Sequence, residues 1–177
     1  MKQNDNIRKK TKSNSKLFFI ASLVAITPLF SIFIVYNNNH NSNILHYIVN
    51  NITNLPSITS ETNQLMSGVM SIYCKTAPLF GVALFLLSIK KLTSQQLKKT
   101  ESIKISICSS ILFFATNFTF LFFNHEITTS GRVLKLMSAN DFLLFIFYSS
   151  LYIGLSMFTY MALISYYLIY DAFKGRK

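Results

Sequence analysis

The stretch "LMSGVMSIYCKTAPLFGVALFLLSI", residues 65–89, contains a single charged side chain, that of Lys75. About 20 mostly apolar residues in a helix are enough to cross the hydrocarbon core of a bilayer. The apolar residues follow one another without the alternation that a membrane β-strand requires. The stretch is therefore predicted to be a transmembrane helix that carries one lysine.

Three more segments have the same character, and together they decide the fold class. The chain of 177 residues is 51% hydrophobic and 13% charged, whereas soluble domains are roughly a quarter charged. The predicted fold is all-α: an integral membrane four-helix bundle that forms one domain, residues 1–177. Its four predicted spans are residues 17–36, 65–89, 105–123 and 142–170.

The basic residues are concentrated in alternate segments of the chain. All Lys and Arg but three lie in the tail 1–16, the link 90–104 and the tail 171–177. The exceptions are Lys75, Arg132 and Lys135. Because basic segments stay in the cytoplasm, both termini and the link are predicted to be cytoplasmic, and loops 37–64 and 124–141 are predicted to face outward. The net charge of +11 thus indicates topology and not nucleic-acid binding. The first tail is expected to be flexible and to contact anionic lipid.

The first of the two outer loops contains a short amphipathic pattern. In "NILHYIVNNI", residues 43–52, apolar side chains recur at helical spacing: Ile44, Leu45, Ile48, Val49 and Ile52. This pattern fits a helix that lies flat on the outer leaflet. A loosely ordered loop fits the Asn-rich surroundings equally well.

The predicted spans contain small and polar residues that need neighbours. Small residues four apart allow two helices to approach closely, and they occur as Ala77 with Gly81, Ser106 with Ser110, and Ser150 with Gly154. These pairs fit a bundle and a homodimer equally well. Polar groups in the third span, Thr116, Asn117 and Thr119, are expected to bond to another helix. Cys74 and Cys108 fall in different spans at different depths and are expected to be unpaired.

Lys75 lies about 7–8 Å inside the outer boundary of the second span, counted back from Ile89 at 1.5 Å per residue. A lysine side chain can extend most of that distance toward the interface. One interpretation is that the ammonium group only fixes the depth of the helix. The other is that it presents a positive charge to a partner at the outer end of the bundle. Pro78 fits either a break in the helix just below or a tolerated kink.

Residue patterns for catalysis or metal binding are absent from the sequence. His40, His46 and His125 lack the spacing of a helical zinc site, and neither a Ser–His–Asp arrangement, a phosphate loop nor a CxxC motif occurs. The predicted spans contain no carboxylate of the kind that proton-coupled pumps need. The sequence therefore predicts a binding protein of the bilayer, not an enzyme, with no cofactor and no metal.

Several motifs carry a resemblance to a known family. They are "NLPSIT" (54–59), "LM" (65–66), "IYCKTAP" (72–78), "EITT" (126–129), "GR" (131–132) and "LM…ND" (136–141). The sequence resembles the four-span immunity proteins of pore-forming colicins, in the group that protects against colicins A and B and their relatives. The similarity covers nearly the whole chain and departs in the N-terminal tail and at residues 37–43.

The resemblance implies a location, a partner and a mechanism. The protein would lie in the bacterial inner membrane and bind the hydrophobic helical hairpin of the cognate colicin's pore-forming domain, which would keep the channel from opening. The expected contacts lie around the outer end of span two and in the second loop: Pro56, Ser57, Thr59, Tyr73, Lys75, Thr76, Pro78, Glu126, Thr128, Thr129, Arg132 and Lys135. For each residue, local scaffolding of the protein is an equally good interpretation. The alternative function is that of a small accessory subunit of a transporter or channel.

Overall fold

The computed structural model describes residues 2–51, 55–89 and 99–174. Ile52 of the predicted short helix, most of the link 90–104 and the last three residues lie outside this range. In chain order the elements are α1 (Lys2–Asn38), α2 (Asn43–Asn51), β1 (Ile58–Thr59), α3 (Gln64–Cys74), α4 (Ala77–Ser88), α5 (Lys99–Phe122), β2 (His125–Glu126), α6 (Arg132–Ser138) and α7 (Asp141–Lys174).

Four helical segments are long and apolar enough to cross a membrane: Phe18–Asn38, Gln64–Ser88, Ile103–Phe120 and Asp141–Asp171. The predicted helical class is therefore confirmed for the apolar parts of the chain. The exception is a parallel pair of two-residue strands, β1 and β2, which the sequence did not predict.

The N-terminal tail, for which flexibility was predicted, has a helical backbone. Helix α1 begins at Lys2 and continues without interruption into the first apolar segment. A helix costs most to nucleate, whereas each added residue contributes one further hydrogen bond.

Helix α7 is the central element of the fold. It packs against α1, α3, α4, α5 and α6, and its inward face carries Leu144, Tyr148, Tyr152 and Leu155, all buried. Within the described ranges, α7 is the only helix with which α5 makes extensive contact. Helix α5 therefore lies at the periphery of the fold, which matters for the groove described below.

The second span is broken where α3 ends at Cys74 and α4 begins at Ala77. The N–H of Lys75 donates to the carbonyl of Ile72 at 3.2 Å, three residues back rather than four. The next amide, that of Thr76, makes the same kind of bond at 2.9 Å. Pro78 follows in the first turn of α4 and has no N–H with which to continue the regular pattern. Of the two alternatives, the break is confirmed, just before the proline.

Helix α4 approaches α7 closely at Gly81. A Cβ atom built on Gly81 would lie 2.6 Å from the carbonyl oxygen of Ser156 and 2.7 Å from Cβ of Thr159. The Ser156 hydroxyl also lies 3.1 Å from the Ala77 carbonyl oxygen, within reach of a hydrogen bond between the two helices. The predicted close contact of the Ala77–Gly81 pair is confirmed.

The polar groups of the third span behave differently from the prediction. Thr116 and Thr119 donate to the carbonyls of Leu112 and Ala115, four residues back in α5, at 2.7 and 2.6 Å. Asn117 does the same through its amide nitrogen, and its buried oxygen has no hydrogen-bond partner in the described part of the chain. The expectation of partners in another helix is wrong, because short polar side chains reach their own helix's carbonyls first.

Two smaller predictions have clear outcomes. Residues 43–51 form a helix, α2, so the loosely ordered alternative is wrong for them. Leu45 is buried and Val49 contacts α3 at Gly68, so part of the apolar face meets the protein. Cys74 and Cys108 are unpaired, as predicted.

Replacing Gly81 by alanine is expected to destabilise the fold by about 1–3 kcal/mol, because the new methyl group overlaps the α7 backbone. The measurement is the free energy of unfolding of the detergent-purified protein in a denaturing detergent titration. Gly154→Ala is the matched control, since no atom lies within 4 Å of its added Cβ. Equal stability of the two variants would contradict the close contact.

Candidate functional site

The two loops at one end of the molecule are joined through their backbones. The N–H of His125 donates to the carbonyl of Ser57 at 3.2 Å, and the N–H of Ile127 donates to the carbonyl of Thr59 at 2.9 Å. These bonds align β1 with β2 in parallel, with Ile58 opposite His125. We call residues 57–60 and 124–127 the loop junction. It unites the two segments in which the sequence located most of the candidate residues.

The loop junction is fixed to the helices by hydroxyl groups. The N–H groups of Ile58 and Ser60 donate to the side-chain oxygens of Ser71 and Ser67, both at 2.9 Å. The hydroxyl of Tyr148 in α7 donates to the carbonyl of Ile58 at 2.6 Å. The edge of β1 that faces away from β2 is therefore paired with side chains.

A second set of contacts ties the loops to the ends of α1 and α7. Asn63 donates to Asp141 at 2.5 Å and accepts a hydrogen bond from the Tyr36 hydroxyl at 3.2 Å. The hydroxyl of Thr62 donates to the carbonyl of Ser138 at 2.7 Å. Helices α1, α6 and α7 thus converge on the connection that leads into α3.

The turn after β2 is closed by the residues of the "EITT" motif. The carbonyl of Glu126 accepts hydrogen bonds from the hydroxyls of Thr129 (3.2 Å) and Ser130 (2.5 Å), and its carboxylate accepts one from Thr128. Gly131 then adopts a φ of 123°, a conformation that side chains disfavour. This turn starts α6, on which Arg132 and Lys135 are exposed.

Ser71 is bonded to the loop junction, and Lys75 lies one helical turn beyond it, about 6 Å further along the helix axis. Its side chain is half-buried, and no carboxylate of the described residues forms an ion pair with it. The Thr76 hydroxyl donates to the carbonyl of Tyr73 at 2.8 Å, which tightens the turn that carries the lysine. An ammonium group without an ion-pair partner at a helix break is available to an external anion or carbonyl.

Tyr73 is used within the chain. Its hydroxyl donates to the carbonyl of Ala25 in α1 at 2.9 Å, and its ring stacks on that of Tyr152 at 4.9 Å. It therefore anchors the end of α3 between α1 and α7. Pro56 and Pro78 are half-buried, one before β1 and the other in the first turn of α4.

The structure thus brings the candidate residues into three neighbouring places. Ser57, Thr59 and Glu126 belong to the loop junction, with Pro56, Thr128 and Thr129 beside it; Lys75, Thr76 and Pro78 lie at the helix break, and Arg132 and Lys135 lie on α6. Sequence reasoning missed Asn124, whose side-chain oxygen accepts a bond from the Ser57 N–H at 2.8 Å, and it missed the serines of α3. Their signal was weak, because serines four apart in an apolar helix also suggest plain helix packing.

Beside the loop junction, a groove of about 570 Å³ opens between α5 and α7. Ile58 and His125 line one end of it, and Gly154 lies along its α7 wall. Most of the remaining lining is apolar. Among the described residues, no cluster of three or more His, Cys, Asp and Glu suitable for a metal ion is found. The site therefore offers hydroxyls, cations and apolar surface for binding.

Comparison with known proteins gives one consistent result. The model of a family described as "Colicin immunity protein" matches residues 41–177. The chain is 36% identical over 168 residues to the colicin-A immunity protein of Citrobacter freundii, covering 94% of this chain and 93% of that protein. It is 35% identical over 171 residues to the colicin-B immunity protein of Escherichia coli, covering 95% and 97%. Among solved structures, no match was found.

Replacing Tyr148 by phenylalanine is expected to loosen the loop junction, because the half-buried carbonyl of Ile58 loses its donor, at a cost of about 1–3 kcal/mol. The amide of Ile127, which is bonded to Thr59, should then exchange its hydrogen about tenfold faster or more. Tyr47→Phe is the control, since this tyrosine is 72% exposed. Unchanged exchange at Ile127 in Tyr148→Phe would mean that another contact holds β1.

Proposed function

The chain belongs to the colicin immunity protein family, and we propose that it protects its cell against a pore-forming colicin. In this proposal it binds the membrane-inserted pore domain of the toxin in the inner membrane and prevents the channel from opening. The observation that carries the proposal is the similarity to two colicin immunity proteins over more than nine-tenths of the chain. The four apolar helices support a meeting between the two proteins inside the bilayer.

The proposed orientation places both termini in the cytoplasm and the loop junction in the periplasm. It is supported by charge, since Lys and Arg are dense in both tails and in the link 90–104 and basic segments stay in the cytoplasm. A colicin that inserts its hydrophobic helical hairpin from the periplasm would meet the loop junction first. The inserted hairpin of the toxin and the loop junction of this protein would then lie in the same leaflet of the membrane and at the same depth.

Recognition is proposed to begin at the loop junction and α6. Arg132 and Lys135 are exposed on α6 and would attract acidic or carbonyl groups on the toxin. The hydroxyls of Thr128 and Thr129 and the carboxylate of Glu126 form the adjacent turn, while Pro56, Ser57 and Thr59 shape the facing segment. The exposed cations of α6 would discriminate between partners, because a partner that sets a like charge against them is repelled.

Lys75 is proposed to supply the deeper contact. Its position beneath the loop junction, at a helix break tightened by Thr76 and followed by Pro78, would direct the ammonium group toward a helix end of the toxin. Helix C-termini carry partial negative charge and unpaired carbonyls, which attract a cation. Tyr73 would act indirectly, because its ring and hydroxyl already hold the end of α3.

The central prediction is selective protection. Sensitive cells that express this chain should survive one purified pore-forming colicin, or a close pair such as colicins A and B, and should still be killed by a nuclease colicin that uses the same receptor. Killing is measured as the highest toxin dilution that still clears a lawn of the expressing cells, and protection lowers that dilution. Survival against every colicin would indicate lost import instead, and no protection against any pore-forming colicin would favour an accessory role in transport.

Replacing Lys75 by leucine is expected to lower the highest colicin dose that the cells survive by about tenfold or more. The reason is that a charged contact is lost at an interface shielded from water. Lys75→Arg, which keeps the charge, should retain most of the protection. Immunoblotting of membrane fractions checks that the variants reach equal levels. Full protection by Lys75→Leu would mean that the lysine only sets helix depth.

A further inference from the structure

Helix α6 carries three kinds of side chain in three adjacent sectors. Leu134 faces the protein and packs against its hydrophobic core. Val133 and Leu136, which are three residues apart and so lie on one side of the helix, are 68% and 69% exposed. Arg132 and Lys135 have the same spacing and are also exposed. The outward half of α6 therefore has an apolar stripe beside a cationic stripe.

The charges of the cationic stripe are not neutralised within the described part of the chain. No carboxylate there forms an ion pair with Arg132 or Lys135. The two carboxylates that flank α6 in the sequence, those of Glu126 and Asp141, are bonded to uncharged side chains instead. Both cations are therefore left for an anion outside the chain.

Helix α2, at the same end of the molecule, has a comparable apolar pair. Ile44 and Tyr47 are again three residues apart and exposed, whereas Leu45 between them is buried. The inward face of α2 packs on α3, where Val49 lies 3.4 Å from a Cβ built on Gly68. Each of these short helices thus packs one face on the fold and turns an apolar pair outward.

The loop junction and α2 lie at the level of the lipid headgroups when depth is counted along the second span. About 20 residues of helix cross the hydrocarbon core, so a count back from Ile89 puts the outer edge of the core near Met70. Ser71, whose hydroxyl binds β1, lies at this edge. Gly68, against which α2 packs, lies about 3 Å outside it. The headgroup layer extends about 5–8 Å beyond the core and includes both positions.

Both ends of α6 are tied to the loop junction, which keeps α6 close to the same level. The helix begins six residues after Glu126, the last residue of β2. At its other end, the carbonyl of Ser138 accepts hydrogen bonds from the hydroxyls of Ser60 and Thr62 at 3.2 and 2.7 Å. The seven residues of α6 span only about 10 Å, so no part of the helix lies far from the headgroup layer.

We infer that α6 is an interfacial helix that binds anionic phospholipid, with Val133 and Leu136 among the upper acyl chains and Arg132 and Lys135 paired with phosphates. A lipid leaflet presents phosphates directly above acyl chains, and the two stripes of α6 lie side by side in the same way. Helices of this composition bind membranes through their buried apolar area and through attraction to anionic lipid. Under the proposed function an arriving toxin would exchange with these phosphates, but the lipid contact itself requires no toxin.

The apolar contact is tested with tryptophan, which the sequence lacks, so that one introduced tryptophan reports only its own surroundings. The vesicles contain phosphatidylcholine and phosphatidylglycerol with bromine on the upper acyl chains. In them, Leu136→Trp should lose about half of its fluorescence or more and should resist quenching by iodide in the water. Val133→Trp repeats the measurement on the same stripe, and circular dichroism checks that each variant is folded.

The matched control is Glu61→Trp, because Glu61 is exposed in the polar connection to α3; iodide should quench it and brominated lipid should not. Quenching of both α6 variants by iodide and not by brominated lipid would overturn the inference. Shielding from iodide that appears only after a colicin is added would overturn it as well, because α6 would then be covered by the toxin and not by lipid.

A second measurement tests the phosphate contact. Raising phosphatidylglycerol from none to about a third of the lipid should strengthen the quenching of Leu136→Trp by brominated lipid, because surface cations are attracted to an anionic leaflet. Adding Arg132→Gln and Lys135→Gln should abolish this dependence, whereas Arg132→Lys with Lys135→Arg, which keeps both charges, should preserve it. An equal response of the neutralised and the charge-preserving proteins would overturn the pairing with phosphate. These lipid measurements are made without toxin, so their failure would leave the proposed function standing.

Discussion

The requirement that backbone N–H and C=O groups be paired inside the bilayer controls this structure. Regular helices meet it along most of the chain, and the informative places are those where the helix stops. At the break in the second span, the amides of Lys75 and Thr76 turn to carbonyls three residues back, so that the chain can pass Pro78 without leaving N–H groups exposed. The break therefore costs little hydrogen bonding, and it leaves a lysine at a defined position between α3 and α4.

The same requirement explains the serines of α3. In a sheet of two strands, the backbone groups on the outer edge of each strand have no strand partner, and β1 has β2 on one side only. Ser67 and Ser71 supply acceptors for the other side, and Tyr148 supplies a donor. The first half of the second span, α3, thus binds the loops through its serines. The second half, α4, packs closely against α7 at Gly81.

The sequence predicted what depends on local composition. Apolar length gave the four helical segments, Pro78 gave the break, and the Ala77–Gly81 pair gave one helix contact. It did not predict the loop junction, because two-residue strands are too short for a periodic signal and their pairing joins residues far apart in the chain, such as Ser57 and His125. It also misjudged Thr116 and Asn117, since the choice between a partner helix and the residue's own helix depends on tertiary packing. The groove beside Gly154 was likewise beyond reach, because a Ser–Gly pair does not reveal whether a helix already covers it.

Under the proposed function, the loops and the apolar faces would contribute differently to specificity. An apolar surface distinguishes helices mainly by shape, and one methylene changes binding by only about 1–3 kcal/mol. The exposed charges of Arg132 and Lys135 on α6 would reject a mismatched partner more strongly, because a like charge set against them is repelled. Related toxins with similar hydrophobic hairpins would therefore fit the apolar faces almost equally well. Discrimination among them would then depend on the charged loops, and the apolar faces would supply affinity that the loops direct to one toxin.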